Sequence, residues 1–102
     1  MNRQLTMLIV DDMEVERISF AEIFKDEYQI LEAENGKQAM EQLEQQKVHI
    51  VLLDLCMPVM DGFEVIREMK QQDKYADIPI VAKTAIDEKT EVKALELSLI
   101  HI

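Results

Sequence analysis

Val48-His49-Ile50-Val51-Leu52-Leu53 is the strongest apolar run in the chain, and it stops on a carboxylate, Asp54. A short, continuous apolar run is what a strand covered on both faces of a parallel sheet requires. A second such run, Leu5-Thr6-Met7-Leu8-Ile9-Val10, stops on Asp11 and Asp12. Amphipathic segments lie between and beyond these runs. Residues 14–25 carry Val15, Ile18, Phe20, Ile23 and Phe24 at roughly helical spacing, with charges between them. Residues 28–33 read as a weaker strand closed by the turn-forming group Glu34-Asn35-Gly36. Residues 37–46 and 62–72 read as helices, with stripes of Ala39, Met40 and Leu43 and of Phe63, Ile66 and Met69. Residues 78–83 form a fourth strand whose start tolerates Pro79, and Asp87 is a candidate N-cap for a fourth helix reaching about Leu97. Strand and helix alternate, which predicts a parallel sheet with helices on both faces. For the apolar end, residues 97–102, a fifth strand is the best local reading, beside a frayed or foreign tail.

At 102 residues the chain has room for one small domain. Hydrophobic residues make up 48% and charged residues 31%, a balance of a soluble globular chain rather than a disordered one. There is no apolar stretch long enough to cross a bilayer and no signal-like N-terminus. A formal charge of −10 argues against binding the nucleic-acid backbone. The single Cys56 excludes an intrachain disulfide and fits a reducing, cytoplasmic setting. With only Gly36 and Gly62, neither a dinucleotide fingerprint nor a Walker loop is present.

Residues at the carboxyl ends of adjacent parallel strands converge in one crevice, so Asp11, Asp12 and Asp54 are expected together. Three clustered negative charges repel one another unless a cation offsets them. The trio therefore reads as a cation site that also holds a nucleophile, since a carboxylate beside a bound metal can accept a phosphoryl group. After Asp54 runs the loop Leu55-Cys56-Met57-Pro58-Val59-Met60-Asp61-Gly62. Pro58 restricts it, and Gly62 permits backbone angles that other residues resist. Thr84 is expected to end the fourth strand, beside the small Ala85. In the strand order 2-1-3-4 it faces the crevice, where its hydroxyl can bond a phosphoryl oxygen. An acid at a strand end is ordinary, and Thr is a common strand residue. The conjunction is what points to chemistry. By contrast, His49 and His101 lack metal-spaced partners and read as structural or surface residues, and Glu14 and Glu16 mainly favour the first turn of their helix.

Taken together, Asp11-Asp12, Asp54 with Met57-Pro58 and Asp61-Gly62, Ile78-Pro79-Ile80-Val81-Ala82 and Thr84-Ala85 resemble the receiver domain of bacterial two-component response regulators, over residues 5 to 97. The resemblance implies a flavodoxin-like, doubly wound α/β fold with sheet order 2-1-3-4-5. It implies that Asp54 is the phosphoacceptor, served by a sensor histidine kinase or phosphotransfer protein. It further implies Mg²⁺ held by Asp12, Asp54 and the backbone carbonyl of Cys56, with Asp11 acting directly or through water. Thr84 would be the switch residue, and catalysis would extend no further than the domain's own phosphorylation and dephosphorylation.

The chain also departs from that pattern. The family's Lys-Pro at the end of the fifth strand, the aromatic residue within it and the final helix are not found, so residues 97–102 are expected to be an atypical tail of a truncated domain whose fifth strand is missing or makeshift. Lys83 precedes Thr84, so strand alternation is expected to turn it to the other side of the sheet, leaving no catalytic Lys. Impaired phosphorylation or switching is expected to follow. The tail is expected to fill the fifth-strand place or to pair with another chain, as a homodimer or strand-swapped oligomer. The alternatives are a phosphorylation-impaired interaction module or truncated fragment, and an aspartyl-phosphate hydrolase. The hydrolase usually needs a second Asp where Cys56 stands.

Overall fold

The run Leu5–Val10 forms β1, with every residue after Leu5 buried. The computed structural model describes residues 4–55, 62–86 and 94–100; for 84–86 and 94–100 the description is of the backbone. Along the chain follow α1 (Glu14–Phe24), β2 (Tyr28–Ala33), α2 (Gly36–Gln45), β3 (Ile50–Asp54), α3 (Gly62–Gln71), β4 (Ile80–Ile86) and β5 (Ala94–Ile100). The sheet order is β2-β1-β3-β4-β5. The first four strands are parallel, in the expected order, and β5 runs antiparallel to β4. The fifth place is thus filled from within the chain.

Two expectations give way here. A helix reaching Leu97 does not form over residues 94–97, which belong to β5. Leu95, Leu97 and Leu99 alternate with Glu96 and Ser98, a two-residue period that suits a strand and not a helix. Asp87, the expected cap, lies outside the described residues. Nor does Thr84 end its strand: β4 runs on to Ile86, because β5 continues to pair with it beyond β3. The last β3–β4 pair is Asp54 with Lys83, whereas Thr84, Ala85 and Ile86 pair with Glu96, Leu95 and Ala94.

Alternation along the strands sorts side chains onto two faces. Leu8, Val10, Val51, Leu53 and Ile80 join Ala39 and Leu43 of α2 and Val65, Ile66 and Met69 of α3 in the larger core. Met7, Ile9 and Leu52 form the other, packed against Phe20 and Phe24 of α1 and Val81 of β4. Each fully buried aliphatic side chain contributes about 1.5–3 kcal/mol. Asn35 caps α2, its side chain accepting from Gln38 N at 2.9 Å. The stripe expected on α1 divides: Phe20 and Phe24 lie against the sheet, while Val15, Ile18 and Ile23 are exposed. Phe20 and Phe24 are four apart and share a side of the helix, whereas Val15 and Ile18, three apart, share a different one.

Candidate functional site

The face covered by α1 carries the site. Two residues beyond Leu52 comes Asp54, two beyond Val81 comes Lys83, and two beyond Ile9 comes Asp11. Equal parity on three adjacent strands brings their side chains to one rim. Asp11, Asp12 and Asp54 each offer a carboxylate oxygen, and these atoms lie within 4.8 Å of one another. Asp12 is exposed and Asp54 half-buried, but Asp11 is 1% exposed.

Asp11 is held at each of its polar groups. Its Oδ1 accepts from Met13 N at 2.9 Å and its Oδ2 from Lys83 Nζ. Its amide donates to Ala33 O at 3.0 Å, and its carbonyl accepts from Arg17 Nη1 at 2.8 Å. Arg17 Nε also donates to Glu32 Oε1 at 3.0 Å, so one guanidinium ties α1 to the ends of β1 and β2. Sequence reasoning does not single out Arg17, because its partners lie six and fifteen residues away and meet only through the sheet.

Lys83 is a correction. Rather than pointing away, its Nζ donates to Asp11 and to Glu16, and lies 3.8 Å from Asp54 Oδ2. Parity is set by the packed residue Val81, which shares the α1 face with Leu52, so Lys83 stands on that face in register with Asp54. Burial acts to lower its pKa, but the bonds to Asp11 and Glu16 and the charges of Asp11 and Asp54 outweigh it, leaving the ammonium above the usual lysine value. Glu16 has a second use beyond its place in the first turn of α1, as a partner of this ammonium.

Gly62 is required for space. A Cβ there would stand 2.5 Å from Asp54 O and from Leu55 Cα, and the Gly62 amide donates to Leu55 O at 3.2 Å. The start of α3 is thereby pressed against the strand end that presents Asp54. Cys56 and Pro58 lie outside the described residues. Thr84 and Ala85 sit in β4, one and two positions past Lys83. His49 is structural: its Nδ1 accepts from Thr6 N and its amide donates to Thr6 O, each at 2.9 Å. His101 lies outside the described residues.

Three converging carboxylates supply the all-oxygen donor set that a hard divalent cation takes, so the residues fit Mg²⁺. Among the described residues no helix is long and apolar enough to cross a membrane.

The family model for the response regulator receiver domain matches residues 7–101. Response regulator RR06 of Streptococcus pneumoniae is 33% identical over 95 residues, covering 91% of this chain and 42% of that protein. Sporulation initiation phosphotransferase F of Bacillus subtilis is 40% identical over 83 residues, covering 80% of this chain and 65% of that protein. The chain therefore spans less than two thirds of the length of either relative. Among solved structures, the N-terminal domain of a response regulator receiver protein from Methanoculleus marisnigri gives a TM-score of 0.76 at 31% identity, covering 84% of this chain and 71% of that one. An acidic trio at the rim of a sheet ordered 2-1-3-4, and a match over nearly the whole sequence, agree on one conclusion: the chain belongs to the response regulator receiver domain family.

Proposed function

We propose that Asp54 accepts a phosphoryl group from a sensor histidine kinase or a phosphotransfer protein, in a site that takes Mg²⁺ through Asp11, Asp12, Asp54 and the backbone carbonyl of Cys56. The convergence of the three carboxylates in a chain of this family carries the reading. When bound, the ion supplies positive charge against the phosphoryl oxygens. An Asp54 carboxylate oxygen forms the new bond to phosphorus as the bond to the donor's nitrogen breaks. The end of β3, with Gly62 against the Asp54 carbonyl, holds that oxygen on a fixed line of approach. Asp11 keeps its place through Met13 and Arg17. Thr84 is proposed as the switch residue: one position past the last β3–β4 pair, its hydroxyl donates to a phosphoryl oxygen lying over the strand ends, with the small Ala85 leaving room, and the resulting shift of β4 passes to β5 through their shared ladder. The domain then acts as a signalling switch whose only chemistry is gain and loss of its own aspartyl phosphate, with protein rather than nucleic-acid partners, in keeping with its charge of −10.

Intact mass after incubation with acetyl phosphate and Mg²⁺ tests this. One phosphoryl group is expected on the wild type and none on Asp54→Ala. Equal gain in both, or none in either, removes Asp54 from the role.

A further inference from the structure

We propose that Lys83 is a tethered cation that occupies the acidic crevice and competes there with the divalent ion; the inference rests on the phosphoacceptor reading above. Among the described residues, four carboxylates border the crevice, those of Asp11, Asp12, Asp54 and Glu16. The ammonium of Lys83 donates to two of them and lies 3.8 Å from a third, with its side chain only 6% exposed. A desolvated lysine persists in such a place only because its charge is offset there and its protons are bonded. Covalent attachment to β4, in register with Asp54, keeps this cation at the site at every concentration of free ion.

A divalent ion that uses Asp11 must share that carboxylate with the ammonium or displace it. Sharing sets two positive charges against each other within a few ångströms, in partly desolvated surroundings. Displacement has an evident route. Glu16 sits in the first turn of α1 with its side chain 27% exposed, so the ammonium can stay on Glu16 while leaving Asp11. The lysine thus lowers apparent metal affinity by the fraction of time it leaves the carboxylates free, which for a vacancy of about one tenth is about tenfold. It also offsets one of these negative charges in the metal-free domain.

The test compares Mn²⁺ binding by calorimetry to the wild type and to Lys83→Met, which keeps the bulk and removes the charge. Lys83→Met is expected to bind Mn²⁺ at least about tenfold more tightly. Equal or weaker binding by Lys83→Met, or no binding by either protein, overturns the proposal. Amine labelling of the wild type gives a second readout that does not depend on the variant folding. Lys83 is expected to be protected in chelator and to gain reactivity as Mn²⁺ is added, whereas unchanged reactivity at saturation also overturns it. The mass gain on Asp54 is read separately, so a failure of the lysine proposal is distinguishable from a failure of the phosphoacceptor reading.

Discussion

Asp54 and Lys83 are register partners on adjacent parallel strands, and Lys83 Nζ stands 3.8 Å from Asp54 Oδ2. The same ammonium is bonded to the buried Asp11. Its pKa in the folded domain is raised, with burial opposing and the carboxylates prevailing. A group raised on folding contributes stability that is full below its unfolded value and fades as pH climbs through the folded one. In chelator, Lys83→Met is therefore expected to be less stable than the wild type by about 3 kcal/mol, or roughly 15 °C in Tm. That gap should hold from about pH 7 to about pH 9 and narrow only beyond the ordinary lysine value. Thermal denaturation followed by circular dichroism checks it; a gap that closes at neutral pH would contradict the assignment.

Gly62→Ala places a methyl group 2.5 Å from two backbone atoms of the β3 end, and neither can swing aside. We expect a loss of about 1–3 kcal/mol in urea denaturation, with slower phosphorylation of Asp54 by acetyl phosphate. An unchanged midpoint and an unchanged rate together would show that the junction of β3 and α3 yields freely.

Arg17 donates to two acceptors at once, the Asp11 carbonyl and the Glu32 carboxylate. Arg17→Met leaves both without that donor and is expected to cost about 1–2 kcal/mol. Arg17→Lys should recover less than half of this, because a single ammonium cannot reproduce the planar fork. Full recovery by Lys, measured by the same denaturation, would mean that charge alone matters there.

β1 and β3 were legible because their runs are almost wholly apolar and stop on carboxylates, whereas β2, broken by Gln29 and Glu32, gave a weaker signal; the acidic trio followed from where the two strong runs end. Lys83 was not, because counting alternation from Thr84 gives the wrong face. The count has to start from Val81, whose packing against the α1 face only the fold reveals. Residues 94–97 carry an alternating pattern, but a capping signal at Asp87 competes with it, and pairing with β4 decides in favour of the strand. Arg17 left no local trace, since β2 delivers Glu32 to it from a distant part of the chain. The exposure of Val15 and Ile23 likewise comes from how apolar positions divide around α1, which spacing along the line obscures.

Beyond the Asp54–Lys83 pair, β4 and β5 continue as a two-stranded ribbon through Ile86 and Ala94. With no third strand beside it among the described residues, such a ribbon twists more readily than the sheet it leaves. A tug on the main chain at Thr84 is therefore relayed to Glu96 across the ladder instead of being absorbed by β3. On the proposed function, the outermost strand would be geared to the crevice, and its margin would be where a neighbouring molecule feels what happens at the acids.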